Sequence, residues 1–240
     1  MSKMFLKKRK VQGTYYYSLV ESYREKAKVK QKTVLSLGNY ETAYQRLKER
    51  QEYAQFFEQL RCGQKIRYHT LLLDPPWQER GGGKIKRGAD KHYPLMSLEE
   101  IKALPINELA YDDCHLYLWV TNNFLQGGLE CIEAWGFRYI TMITWVKDRI
   151  GLGQYHRGQT EHCLFAVKGN LPYKLLQDGT RLQGQTFIHA RRRRHSQKPD
   201  EIFEIIEKVS WEPYLELFAR KRHSRKWDVW GNEVNSDIEL

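Results

Sequence analysis

Tyr68-His-Thr-Leu-Leu-Leu-Asp74-Pro-Pro-Trp77 is an apolar run that ends abruptly on a carboxylate and two prolines. The run has the character of a buried strand, and the prolines stop it, since neither can donate to a ladder and each restricts the residue before it. In an open α/β sheet, ligands sit beyond the carboxyl ends of the strands, so Asp74, Pro75, Pro76 and Trp77 fall where chemistry is expected. Their composition suits a base that carries an exocyclic amine. The lone pair of an adenine amino group is delocalised into the ring, and acceptors aimed at its two hydrogens release it for attack on a methyl sulfonium. The Asp74 carboxylate is one acceptor and the Pro75 carbonyl a second, fixed by the restricted backbone of successive prolines. Trp77 offers a face on which the base can stack. Alone, these four residues also suit an ordinary turn.

Working outward, strand and helix patterns alternate. Leu116–Val120 and Ile140–Val146 read as strands with a helix, Gly128–Gly136, between them. A helix over Asp200–Val209 turns Ile202, Phe203, Ile205, Ile206 and Val209 toward the sheet, and Leu215–Ala219 reads as a further buried strand. The polar loop Arg220–Lys226 and Gly231-Asn232 follow it. The pattern predicts an α/β domain over residues 63–240.

Residues 1–62 differ in character and are expected to form a separate basic appendage. Lys and Arg outnumber Asp and Glu by 40 to 29 over 240 residues, a net charge of +11, and residues 1–32 hold ten Lys or Arg against Glu21 and Glu25. Clustered charge of this sign favours a polyanion such as nucleic acid. Tyr15–Tyr23 alternates, Val29–Leu37 is a second β-rich run, and the two predict an antiparallel hairpin, followed by an amphipathic helix from Glu41 to Leu60. The basic, tyrosine-rich hairpin is similar to one found at the start of some bacterial transposases. It could grip nucleic acid or a partner, or merely pack on the main domain. Cys62, Cys114, Cys131 and Cys163 are too scattered for a zinc knuckle or a disulfide framework, so no metal is expected. No apolar run is long enough to span a bilayer and no signal-peptide core follows the basic start, so a cytoplasmic protein without membrane contact is expected, beside the nucleoid in a bacterial host.

From about residue 70 to 234 the chain resembles the MT-A70 family of adenine-N6 methyltransferases. The motifs that carry the likeness occur in family order: Asp74-Pro-Pro-Trp77, Tyr93-Pro-Leu-Met-Ser97, Leu116-Tyr-Leu-Trp-Val-Thr121, Gly128–Phe137, Thr144-Trp-Val-Lys147, Arg157–Leu164, His195–Glu201, Glu216-Leu-Phe-Ala-Arg220 and Trp230-Gly-Asn-Glu233. The resemblance implies a Rossmann-like class I methyltransferase fold in permuted order, with the catalytic tetrapeptide ahead of the cofactor strand, and S-adenosyl-L-methionine as cofactor. It implies that Asp74 also faces the cofactor, that Phe218, Arg220, His223, Asn232 and Glu233 surround its adenosine, and that Lys198 lies near its carboxylate or the substrate. Tyr93 would hold the base with Trp77, and Glu161 and His162 would hold substrate or order the site. His162 beside Cys163 also suits a packed core histidine, and Trp119, Trp135 and Trp145 suit the core.

Two departures from the family pattern stand out. Gln64-Lys-Ile66 has no acidic residue where relatives contact the cofactor's adenine, and Glu233 stands where many have Gln. Gly81-Gly-Gly-Lys-Ile-Lys-Arg87 lacks the spacing of a nucleotide triphosphate loop, and reads as a mobile basic loop, Arg87 included, closing over nucleic acid. Arg191–Arg194 is expected to meet phosphates. An adenine-N6 methyltransferase follows as the expected function, with DNA as first substrate and RNA as second. A catalytically silent nucleic-acid-binding subunit is the rival reading. Pairing of two copies is a further expectation from relatives that work as pairs.

Overall fold

In the basic arm, the sequence folds into three antiparallel strands where two were expected: β1 (Lys3–Val11), β2 (Thr14–Glu25) and β3 (Lys28–Gly38), in that spatial order. The expected hairpin is β2–β3. The additional β1 is hidden in the sequence because Lys7-Lys-Arg-Lys10 puts charge on both faces of the strand and erases the period-two signal. Helix α1 (Tyr40–Lys48) follows, its first turn capped by the Asn39 side chain, which accepts the Thr42 N–H at 3.0 Å. It buries Ala43, Tyr44 and Leu47 against Tyr17, Leu19 and Leu37. The rest of the expected helix to Leu60 falls almost wholly outside the described residues, which are 3–25, 28–48, 50, 53, 67–78, 95–151, 155–171, 173–193 and 196–240 of this computed structural model. The chain divides into two compact units, residues 1–66 and 67–240.

The second unit holds β4 (Tyr68–Leu73), α2 (Leu98–Lys102), α3 (Ile106–Leu109), β5 (Ala110–Val120), α4 (Leu125–Ala134), β6 (Arg138–Lys147), β7 (Thr160–Lys168), β8 (Phe187–Ala190), α5 (Glu201–Val209), β9 (Tyr214–Leu217) and β10 (Trp227–Trp230). Among the described residues its seven strands form one sheet in the order β10-β9-β4-β5-β7-β6-β8. β7 runs antiparallel to both neighbours, and every other pairing is parallel. Helices cover both faces. Gly128 of α4 lies so close to the sheet that a Cβ there would stand 2.6 Å from Val120 and 2.9 Å from Leu164. On the other face α5 packs Ile202, Phe203 and Ile206 with Leu72, Tyr117, Trp119 and Trp227. The fold is α/β and Rossmann-like, as expected.

Topology selects one place for a ligand. From β4 the chain moves to β5 on one side, and after α5 it returns to lay β9 against the other side of β4. The order reverses at the β4–β9 pair, and the crevice beyond the carboxyl ends of strands at such a switch point is where open α/β sheets bind ligands. Asp74 follows β4 and Phe218 follows β9.

Candidate active site

Three backbone hydrogen bonds tie down the tetrapeptide turn. The Asp74 N–H points at the Leu217 carbonyl (3.4 Å), Pro75 O accepts the Trp77 N–H (2.9 Å), and Pro76 O accepts the Met96 N–H (2.8 Å). The Trp77 indole is buried, its Nε1 donates to Trp119 O at 2.9 Å, and its ring stacks on Phe124 with centroids 5.3 Å apart. A carbonyl oxygen has two lone pairs, so Pro75 O retains one acceptor position.

The Asp74 side chain faces Lys198, whose Nζ lies 2.7 Å from both carboxylate oxygens. The same ammonium is 3.5 Å from Glu161 Oε2, and Lys147 Nζ donates to Glu161 Oε1. The result is an alternating row, Asp74–Lys198–Glu161–Lys147, built from the ends of β4, β6 and β7 and the segment before α5. Burial raises the Asp74 carboxyl above its ordinary value, with Lys198 pulling the other way. Burial acts on Glu161 too, but there Lys198 and Lys147 outweigh it and hold the carboxyl below its usual range. Next to it, His162 has both ring nitrogens engaged, Nδ1 with Thr144 Oγ1 (3.1 Å) and Nε2 with Asn122 Oδ1 (2.7 Å). Asn122 Oδ1 can only accept, so Nε2 carries the proton and Nδ1 accepts from Thr144. Burial lowers the His162 pKa, consistent with this neutral form.

A cleft of about 520 Å³, part of it open to solvent, lies beside Asp74. Asp74, Lys198, Phe218 and Arg220 line it, and so do Trp119, Phe203 and Glu216. Glu216 Oε2 is buried with no hydrogen-bond partner among the described residues, and burial, reinforced by the charge of Asp74, pushes this carboxyl up to about 8. Phe218 and Ser196, both on the wall, have φ of 64° and 61°, a left-handed conformation that costs of order 1–3 kcal/mol at a side-chain-bearing residue. The glycine at 231 permits this corner, because Trp230 O accepts the Ala219 N–H and a Cβ at 231 would lie 2.2 Å from Ala219 O.

Of the other residues that the resemblance names, Glu233 and His223 touch side chains of this wall. Glu233 grips Arg220, with Nε to Oε1 at 2.7 Å, and so orients a cleft residue. The His223 ring stacks on Phe203 at 3.9 Å, and Asn232 is exposed. Arg193 pairs with Asp200, while Arg191 and Arg192 are exposed. Tyr93, Arg87 with the glycine-rich loop, and His195 lie outside the described residues. Among those described, no group of three or more His, Cys, Asp or Glu could hold a metal, and no helix is long and apolar enough to cross a membrane.

A polar wall of this kind fits a zwitterionic cofactor. Lys198 and Arg220 are cations for a carboxylate, the unpartnered Glu216 oxygen is an acceptor for an ammonium or hydroxyl, and Phe203 and Phe218 supply apolar surface.

Comparison with known proteins bears on both units. Residues 6–65 match the IS1634 family transposase N-terminal domain. Over 72% of its length the chain is 31% identical to the Type II methyltransferase M.MunI of Mycoplasma sp, covering 81% of that protein. It is 32% identical to the human N(6)-adenosine-methyltransferase catalytic subunit METTL3 over 70% of its length, and 30% identical to the MT-A70-like N(6)-adenosine-methyltransferase of Arabidopsis thaliana over the same share. The chain spans only about a quarter of those two longer relatives. Residues 68–233, which include β4, the Asp74 turn and the whole cleft wall, match the MT-A70 family, and the chain belongs to that family of adenine-N6 methyltransferases.

Proposed function

We propose that this protein transfers a methyl group from S-adenosyl-L-methionine to N6 of adenine in DNA. The observation that carries the reading is the Asp74 carboxylate, held at a topological switch point by Lys198 on the wall of a cleft that suits a zwitterion. The cofactor supplies, when bound, an electrophilic methyl on a sulfonium. Asp74 and Pro75 O accept the two amino hydrogens of adenine. Each Asp74 oxygen keeps a lone pair beyond the one facing Lys198, so the ammonium can orient the carboxylate while it accepts. Withdrawing the hydrogens toward these acceptors frees the nitrogen lone pair for in-line displacement, and Asp74 or solvent takes the proton. Trp77, pinned by Trp119 and Phe124, fixes the turn and, with Tyr93, bounds the base. Lys198, Arg220, Phe218 and Glu216 would hold the cofactor, with His223, Asn232 and Glu233 behind them.

Two features support DNA over RNA. Likeness to M.MunI extends over most of that protein, and the first unit is of a kind otherwise named for transposases, enzymes whose substrate is DNA. A base inside a duplex must first leave the stack, at a cost of a few kcal/mol that basic contacts and stacking can offset. Pairing with a second copy belongs to the same reading. Incubation with duplex DNA, single-stranded DNA and single-stranded RNA in competition, followed by mass spectrometry of the nucleosides, tests it. N6-methyldeoxyadenosine is the expected product; N6-methyladenosine alone would reassign the polymer, and no methylated purine from any of them would overturn the activity.

A further inference from the structure

The first hairpin of the basic unit has an end that the third strand does not reach. β3 stops at Gly38, opposite Tyr17, whereas β1 and β2 continue to pair through Arg9↔Tyr16, Lys10↔Tyr15 and Val11↔Thr14. Residues 9–16 therefore form a two-stranded ribbon, with the Lys8↔Tyr17 rung at its base. Its tip is a two-residue turn, Gln12-Gly13, with φ of 47° and 86°, the double left-handed geometry that matches the twist of a hairpin.

Charge on this ribbon is one-sided in sign and two-sided in space. Lys7, Lys8, Arg9 and Lys10 are all exposed, and their cross-strand partners are Ser18, Tyr17, Tyr16 and Tyr15. No Asp or Glu precedes Glu21 in the sequence. Successive residues of a strand point to opposite faces, so Lys7 and Arg9 project from one face and Lys8 and Lys10 from the other. The ammonium of Lys8 lies 4.0 Å from the Tyr15 ring centroid and that of Lys10 5.5 Å. The second hairpin differs: Glu25 pairs with Lys30, and Glu21 stands opposite Lys32. Lys7, Lys8, Arg9 and Lys10 are four consecutive cations with no acid among residues 1–20, whereas Arg24, Lys26, Lys28, Lys30 and Lys32 share their stretch with Glu21 and Glu25.

We propose that this ribbon, with Lys7 and Lys8 at its base, docks in the major groove of duplex DNA, one cationic face toward each phosphate strand. A B-form major groove, about 12 Å wide and 8.5 Å deep, admits a two-stranded ribbon. The four rungs from Lys8↔Tyr17 to Val11↔Thr14 extend about 10 Å at a strand's rise, comparable with that depth. An A-form RNA duplex has a deep, narrow major groove that side chains cannot read, which makes B-form DNA the occupant. The inference rests on the reading of DNA as substrate.

The test compares the full chain with Lys8→Gln/Arg9→Gln/Lys10→Gln and the charge-retaining Lys8→Arg/Arg9→Lys/Lys10→Arg, by fluorescence anisotropy on a labelled DNA duplex and an RNA duplex across a salt series. Each lost phosphate contact should remove about 0.9 from the slope of log affinity against log salt. The Gln variant should lose tenfold or more in DNA affinity and two to three units of slope, with the charge-retaining variant close to wild type. Unchanged DNA affinity and slope in the Gln variant would overturn the proposal, as would an equal loss on the RNA duplex. Ribbon-dependent DNA binding with no methylated adenine in the nucleoside assay would sink the proposed activity and leave the docking standing; DNA methylation with ribbon-independent binding would do the reverse.

Discussion

Lys198 Nζ lies 2.7 Å from both oxygens of Asp74, although 124 residues separate the two in the chain. The crossover that returns the chain from β8 through α5 to β9 brings Lys198 to the carboxyl end of β4. The pair ties the Asp74 carboxylate to the far wall of the cleft.

Replacing Lys198 with Met should therefore act through Asp74 as well as through binding. Burial already pushes the Asp74 carboxyl up, and loss of the nearby cation removes what opposes it. Asp74 must be ionised to accept well, so the acidic limb of kcat/KM should move to higher pH, and activity near pH 7 should fall roughly a hundredfold. Methyl incorporation measured from pH 5 to 9 checks this; an unmoved acidic limb contradicts it.

Lys147 is a positioning residue, one step further along the same row. Lys147→Met should raise the Glu161 carboxyl and leave its ionised Oε1 to compete with Asp74 for Lys198, loosening the Lys198–Asp74 pair. A drop in kcat of about tenfold, with KM for DNA little changed and partial rescue by Lys147→Arg, is the expected pattern. A merely structural lysine would lower melting temperature without shifting the pH profile.

Gly231→Ala tests the cleft corner. Its Cβ would fall 2.2 Å from a backbone oxygen that cannot swing aside, so the ends of β9 and β10 must part and carry Phe218 and Arg220 with them. A loss of about 1–3 kcal/mol in stability is expected, together with weaker cofactor binding by calorimetry. Wild-type affinity and melting temperature would show that the close approach is unimportant.

Asp228 sets a pH dependence of stability. It is buried on β10, accepts the Tyr68 hydroxyl at 3.0 Å, and burial, with the charge of Asp237, pushes its carboxyl up to about 8. An unfolded Asp titrates near 3.9. Between about pH 4 and 8 the folded chain thus holds a proton that the unfolded chain releases, so stability falls as pH rises through this window and levels off above it. Glu216 acts in the same direction. Melting temperature should drop between pH 6 and 8.5, and Asp228→Asn should flatten the drop; an identical slope in the variant would refute the assignment.

How far the sequence can be read depends on whether a pattern is local. Tyr68–Trp77 is legible because the apolar run and its prolines are contiguous, and the helix Glu201–Val209 because its apolar face repeats within two turns. The association of Asp74, Lys198, Glu161 and Lys147 is long-range, and only the ordered motifs hint at it. Trp119 reads as core, and it is buried, yet its carbonyl also holds Trp77 and its ring forms cleft wall. Phe124 gives no signal, being one aromatic in a short loop. Glu216 escapes as a cleft residue, although a lone acid between Leu215 and Leu217 in a buried strand marks a side chain turned away from its neighbours, here into the cleft.

Activation of the adenine amino group by the Asp74 carboxylate is the step on which the proposed chemistry depends. Single-turnover methyl transfer to duplex DNA, at saturating DNA and S-adenosyl-L-methionine, measures this step directly in wild type and Asp74→Ala. The rate in the variant is expected to be lower by roughly a hundredfold to a thousandfold. A rate within a few fold of wild type would contradict the role given to Asp74.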